Sequence, residues 1–418
     1  MTIPLNTRPR RRVTLTVVAI AAVAYVGFTA TQFLASWFGS KAELSSLRRA
    51  AFLDPGNAEY RDHLGRYYDL VARDPAAAAE QYRNAVQINP HSARYWFDLA
   101  SAYQVLGNTT QQTDALEHAI QADATTPDVA WEAANLYLVQ GEGEKALREF
   151  RVVIANDPSM APGALEFCWR IEPDVDALLR DVVPARADAH TSFLTLLESR
   201  QETDGVKKVW NSLLQTREPF ESRHAYDYIQ YLVLHKEVDA AVMAWQQSTS
   251  RFGLSAYLPS SENLIVNGNF NLSLLNAGFD WRYRKQTSVG LSLDPSEFHN
   301  GRRSLHITLN GPGIVDAGIY QLIPVQPNTK YEFTAYYKTG EMEGAGGPHF
   351  MIQDMYSQAV YYQSEELKDA GFWKSATGEF TTAPDCRLVM LHIPRLPAGS
   401  PMREKLWVDD FHLVKKPS

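Results

Sequence analysis

The sequence predicts a multi-domain α and β protein: an N-terminal transmembrane helix, a helical repeat solenoid and a C-terminal β-sandwich. Three observations predict it. Residues 13–40 carry no charge. Small and apolar residues then recur with a period of 34. From about residue 260 apolar residues alternate at every second position, the period of a half-buried strand.

The composition fits such a chain. It has 418 residues, 45% hydrophobic and 21% charged, which is globular rather than disordered. A net charge of −8 argues against nucleic acid as a partner, because phosphate binding needs a basic field. Two cysteines, Cys168 and Cys386, stand far apart and outside any CxxC pattern, which speaks against a disulfide scaffold or a structural zinc site.

The first element is the uncharged run. Arg8, Arg10, Arg11 and Arg12 precede it with no acid, and Lys41 is the next charge. About 20 apolar residues cross a bilayer core. Residues 13–38 are therefore expected to span a membrane once, with Trp37 and Phe38 at its interface. Residues 1–12 form a basic cytoplasmic tail, and the bulk of the chain is periplasmic or extracellular. The expected location is the inner (cytoplasmic) membrane of a bacterial cell. Ala22-Val23-Ala24 offers a signal-peptide cleavage site as an alternative, and Arg11-Arg12 a twin-arginine signal. The apolar stretch runs on through Val26, Phe28, Phe33 and Leu34, which favours an uncleaved anchor.

The second element covers residues 41–253. Trp96, Leu99, Ala100, Tyr103 and Gly107 are followed 34 residues later by Ala130, Ala133, Ala134, Tyr137 and Gly141. One repeat earlier stand Leu64, Gly65, Tyr68, Ala78, Tyr82, Ala85 and Pro90, with one extra residue expected in the turn near Asp74-Pro75. Clear repeats span 58–160, preceded by a half repeat, Leu47–Pro55. Gly65, Ala100 and Ala134 let paired helices approach, and Pro90 and Pro158 end the second helix of a pair. Beyond Pro158 the pattern decays over 161–253. Glu172-Pro173 breaks a helix, and two further helix pairs are expected at 186–215 and 222–250, the last capping the array. Cys168 is expected in the core.

These residues resemble the tetratricopeptide repeat (TPR), a helix–turn–helix unit stacked into a solenoid. The resemblance implies a groove lined by the first helix of each pair. Arg94, Phe97, Ser101 and Gln104, then Asp128, Trp131, Asn135 and Leu138, fall on its groove positions. It further implies a protein partner, with Phe97 and Trp131 as aromatic anchors. Packing of these residues within the array is the alternative.

The third element covers residues 260–416. Leu305, Ile307 and Leu309 alternate with polar residues, as do Tyr331, Phe333, Ala335 and Tyr337. Leu388 and Met390 mark another run, and Trp407, Phe411 and Leu413 the last. Turns are expected at 310–312, 326–328, 344–348 and 397–399. Roughly eight short strands imply a sandwich.

Asn263-Leu264-Ile265-Val266-Asn267-Gly268-Asn269-Phe270, Gly278-Phe279-Asp280-Trp281, His299-Asn300-Gly301 and Trp407-Val408-Asp409-Asp410-Phe411 occur in that order. Together they resemble the jelly-roll carbohydrate-binding modules of xylanases and cellulases. The resemblance implies a sugar ligand and a structural calcium where first and last strands meet. Asp409 and Asp410 supply its closing acids, while Asn271 stands where the family has an opening acid. Aromatic faces stack on sugar rings, and planar polar groups bond hydroxyls. The candidates are Trp281, Tyr283, Tyr336, Gln353, Tyr356, Tyr361, Tyr362 and Trp373, with Trp281 and Tyr361 foremost.

No GxSxG, Walker, HExxH or strand-linked GxGxxG motif is present. The expectation is a membrane-anchored scaffold and not an enzyme. Its repeats bind protein and its jelly roll binds carbohydrate, in surface polysaccharide assembly or export. The alternative is a purely protein-binding scaffold whose jelly roll has lost sugar binding.

Overall fold

A computed structural model describes residues 8–344, 346–398 and 402–417. The first seven residues of the basic tail, and Ala345 and Gly399 of two expected turns, lie outside them. The chain divides into two compact units, residues 1–218 and 219–418.

The first unit is helical. The uncharged run forms α1, Arg8–Gly39, long and apolar enough to cross a membrane. Its last turns are not free. Ala35 and Gly39 are buried, and a Cβ on Gly39 would lie 2.4 Å from the Tyr60 ring. They pack with Phe38 against Leu47, Ala50 and Ala51 of α2, Leu44–Leu53. The end of α1 thus supplies the first helix that the half repeat lacks in the repeat pattern.

Helical hairpins follow. The first pairs α3, Ala58–Arg66, with α4, Pro75–Ile88. Next come α5, Ala93–Val105, with α6, Thr109–Ala122, and α7, Pro127–Val139, with α8, Gly143–Asn156. Then α9, Ala161–Ile171, precedes a short α10, Val175–Asp181, and α11, Ala187–Arg200, pairs with α12, Thr203–Thr216. The Gly65 prediction holds in atomic terms, since a Cβ there would meet the Tyr82 ring at 2.5 Å. The extra residue expected near Asp74-Pro75 is instead absorbed one turn earlier. Tyr67–Ala72 winds as a π turn, which accommodates one additional residue in a helix. Cys168 is buried, as expected, and burial pushes its thiol up to about 12.

The second unit begins with α13, Ser222–Leu234, and α14, Val238–Arg251. This pair was expected to cap the array. Its grouping with the sandwich has a packing basis: the Trp245 ring contacts Phe279 at 6.3 Å, and its Nε1 donates to the Tyr257 carbonyl.

Eleven strands are assigned among the described residues against roughly eight expected, and two of the extra ones are only two residues long. They are β1 Arg282–Tyr283, β2 Val289–Asp294, β3 Ser304–Gly311, β4 Asp316–Pro324, β5 Lys330–Gly344 and β6 Gly347–Pro348. The rest are β7 Met351–Asp354, β8 Val360–Gln363, β9 Lys374–Thr381, β10 Leu388–Leu396 and β11 Met402–Lys415. One antiparallel sheet runs β1-β4-β10-β7-β8, with β6 on β10; the other runs β2-β3-β11-β5-β9. Between them lie Phe270, Trp281, Phe333, Phe350 and Phe411 with the inward residues of β3, β4 and β10.

Two strands differ in phase from the sequence reading. In β10 Val389, Leu391 and Ile393 face the core between the sheets, while Leu388 is also fully buried and Met390 half-buried. In β11 the core face starts with Leu406 and Val408, so Trp407 points outward and stacks on His306 at 4.5 Å. A bulge between Asp409 and His412 then shifts the register and returns Phe411 and Leu413 to the core.

Candidate functional site

The opening motif is a lock between chain segments. Asn263 Nδ2 donates to the Phe411 carbonyl at 2.9 Å, while its Oδ1 accepts from the Ile265 and Leu413 N–H groups. Asn267 and Phe270 adopt positive φ, which turns the chain sharply. A Cβ on Gly268 would lie 2.3 Å from the Phe411 carbonyl oxygen, so only glycine permits this approach.

The three residues expected to hold calcium do converge beside this lock, but their oxygens face hydrogen-bond donors. Asp409 is buried. Its Oδ2 accepts from the His299 and Asn300 N–H groups at 2.8 and 3.0 Å, and its Oδ1 from Asp410 N–H at 2.8 Å. Burial pushes its carboxyl up, against the pull of these donors. Asn271 Oδ1 accepts from Arg302 N–H at 2.9 Å. Asp410 lies 3.2 Å from His299 Nδ1 and 3.0 Å from His412 Nε2. Burial works upward on it too, but the bonds from His412 and Asn300 outweigh that and hold its carboxyl down. The carbonyls of Phe270 and Asn271 accept from the Arg303 guanidinium at 2.7 and 3.1 Å. Calcium wants six to eight free oxygens. This donor set does not fit it, and the positive charge at the junction is Arg303. Among the described residues no group of three or more His, Cys, Asp or Glu is placed to hold a metal. The Arg302-Arg303 pair beside His299-Asn300-Gly301 was the sequence signal for this.

The predicted sugar-binding residues scatter. Trp281, expected at the surface, is fully buried among Phe270 and Phe411. It stands immediately before β1 and lies in the core between the sheets. Tyr361, the other foremost candidate, is half-buried; its hydroxyl accepts from Ala383 N–H and its ring stacks on Phe380 at 5.8 Å. Tyr362 lies against Phe333 and over Gly378, where a Cβ would meet it at 2.1 Å. Tyr356 donates to the Val233 carbonyl of α13 at 2.8 Å. Gln353 is half-buried on β7. Only Tyr336 and Trp373 come together, on either side of His299. That imidazole stacks on Tyr336 at 3.6 Å and meets Trp373 edge-on at 5.9 Å. Beside them in sequence, Phe372 is 87% exposed and Phe298 42% exposed, neither of which the sequence reading singled out.

Tyr283 has a different setting. It pairs with Ile319, is half-buried, and lines a cleft of about 570 Å³ between the edges of β1 and β2. Leu274, Val289, Leu291 and Leu293 wall the cleft, and Arg284, Lys285 and Gln286 stand on it.

On the repeat array, Arg94, Gln104 and Asp128 are exposed, and Ser101, Asn135 and Leu138 half-buried. Phe97 is a correction: only 2% of it is exposed, so it fills the array instead of facing a groove. Trp131 is half-buried, edge-on to Phe150 and Phe167 at 5.5 and 5.7 Å. Charges supply a pattern that the aromatic residues do not. Arg66 bridges Asp98 at 2.9 Å and Asp62 at 3.2 Å, and Arg94 reaches Asp62 at 3.6 Å. Asp98, Glu132, Glu166 and Arg200 recur at one-repeat spacing, and the last two pair at 2.6 Å. Leu70, Val105 and Val139 are exposed, one per repeat, near the end of each first helix.

Parts of the chain are similar to known proteins. Residues 262–393 match a family described as a carbohydrate binding domain. A solved structure described as CBM4 is 16% identical, covering 36% of this chain and 99% of its own, with a TM-score of 0.29. MamA is 21% identical over 41% of this chain and 85% of its own, TM-score 0.24. PilF of Pseudomonas aeruginosa is 16% identical over 55% of this chain and 93% of its own, TM-score 0.24. No curated protein matches the chain. The chain thus joins a series of helical hairpins to a two-sheet β-sandwich, and the matched residues 262–393 lie in the part that holds the sandwich.

Proposed function

We propose that the chain is a membrane-anchored, externally facing scaffold. Its repeats engage a protein partner, and its sandwich binds carbohydrate, in the assembly or export of a surface polysaccharide. The supporting observation is the match of residues 262–393 to a carbohydrate-binding family, on a sandwich with an open cleft beside Tyr283. The anchor reading is supported by α1, whose middle turns are apolar and exposed. The partner reading is supported by the exposed Leu70, Val105 and Val139. Function would come from co-localisation: two modest affinities on one chain combine through effective concentration.

The test is binding of the full chain, held in lipid nanodiscs, to a polysaccharide panel that includes the host's own surface polymer. Binding to a panel member is expected; a folded chain that binds none overturns the carbohydrate reading. The second reading, a purely protein-binding scaffold, is favoured by one observation. The α13–α14 hairpin engages the sandwich at Arg282 and Tyr356, occupying surface on one sheet. Under that reading the glycan-blind chain still captures its protein partner.

A further inference from the structure

The cleft between β1 and β2 joins an apolar inner wall to a basic rim. Its inner wall is aliphatic, from Leu274, Val289, Leu291 and Leu293, and Tyr283 adds half of an aromatic ring. Such a wall suits the C–H face of a sugar ring and not a charged group. Its rim is the opposite. Arg284 and Lys285 are adjacent and exposed, and among the described residues neither has a carboxylate within ion-pair distance. The carboxylate that Arg284 acts on, Asp316, is bonded to the Gly318 N–H at 2.6 Å and lies 3.6 Å from His392. Among the described residues lining the cleft, none is acidic. This reverses the sign of a chain whose net charge is −8.

Two exposed cations on a flat surface are ordinarily just solvated. Here they stand over a concave apolar wall, where low dielectric focuses their field on whatever enters. Ser273 and Ser292 offer hydroxyls at the same opening, and Gln286 an amide. A guanidinium fork matches a carboxylate in two-point geometry, which a neutral hydroxyl cannot exploit. At about 570 Å³ the space lies within the range of ligand pockets.

We propose that this cleft is a subsite for an acidic saccharide, a uronate-type unit whose ring lies on Tyr283 and the leucines and whose carboxylate meets Arg284 and Lys285. The proposal rests on the carbohydrate reading given above and narrows it to a chemical class.

The experiment uses the full chain in nanodiscs and calorimetry with uronate oligosaccharides of galacturonate, mannuronate and glucuronate backbones. Each is paired with the same oligosaccharide after reduction of its carboxyls to alcohols. Uronate binding is expected to exceed that of the reduced partner by tenfold or more and to weaken as salt rises. The double variant Arg284→Gln, Lys285→Gln changes only exposed side chains and should lose that margin, while its melting temperature stays unchanged. Equal binding of both forms, or a double variant that binds as the wild type does, overturns the acidic subsite and leaves carbohydrate binding standing. A folded chain that binds neither these oligosaccharides nor any neutral polysaccharide overturns both.

Discussion

The indole N–H of Trp281 donates to the carbonyl oxygen of Asn267 at 3.1 Å, in the interior of the sandwich. The ring lies 5.2 Å from Phe270 and 5.1 Å from Phe411, so one side chain joins the opening motif to the closing strand. Trp281→Ala should therefore cost about 3–5 kcal/mol of stability, the range for emptying a large core site. Denaturant unfolding followed by circular dichroism measures this. Unchanged stability with lost glycan binding would return Trp281 to the surface role that its sequence context suggested.

Arg303 donates to the carbonyls of Phe270 and Asn271, next to the Asn271 side chain that was expected to take part in a calcium site. Melting of the chain should be the same in calcium and in chelator. Arg303→Gln should cost about 1.5–3 kcal/mol, the worth of charge-assisted hydrogen bonds. A calcium-dependent rise in the melting temperature of the wild type would refute this account of the junction.

Glu404 on β11 is buried, and neither of its carboxylate oxygens has a hydrogen-bond partner among the described residues. Burial pushes its carboxyl up to about 8; attraction from Arg395 opposes this and repulsion from Glu366 adds to it. In the unfolded chain the group titrates near 4.3. The folded state thus holds the extra proton, and stability present below about pH 4 is lost as pH rises towards 8. Glu404→Gln should flatten that slope and raise stability at pH 8 by a few kcal/mol, as an order of magnitude. Unfolding midpoints from pH 5 to 9 give the comparison; parallel curves for wild type and variant would contradict it.

Gly65 offers a case where two effects oppose each other. Replacing a helical glycine by alanine ordinarily gains about 1 kcal/mol. Here the new Cβ would press on the Tyr82 ring at 2.5 Å, and overpacking costs about 1–3 kcal/mol. Gly65→Ala should lower stability, and adding Tyr82→Leu should recover part of the loss. A stabilised single variant would show that α3 and α4 have room to separate.

The architecture was legible because its periods are long. The 34-residue recurrence located the pairs from α3 to α8, and the outer bounds of the pairs α11–α12 and α13–α14 match the expected ranges within one residue. Strand phase was legible where the alternation is unbroken, as in β3, and failed in β11. There a bulge that sets Asp410 and Phe411 against the single residue Ala335 breaks the count, and neither residue announces a bulge. The candidate site was less legible for a related reason. Trp281 and Trp373 are both tryptophans beside turns, yet one fills the core and the other meets His299. Which way each points depends on partners distant in sequence, Phe411 for Trp281 and His299 for Trp373. Aromatic composition proposes stackers, but only the packing says which rings are already taken. Likewise Arg282, Arg284 and Lys285 read as an ordinary basic stretch until the sheets bring Leu291 and Leu293 under two of them.

The junction of α1 with the first repeat has a mechanical meaning. The helix is 32 residues, about 48 Å of rod, and only its final turns are clamped, by Tyr60 and α2. A flexible leash would let the array wander. A clamped rod transmits torque, so that a lean of α1 turns the first hairpin with it. Gly39 is the bearing of that joint: a larger residue there would prise the rod from its socket, and the array would be left hanging from Ser40 to Glu43.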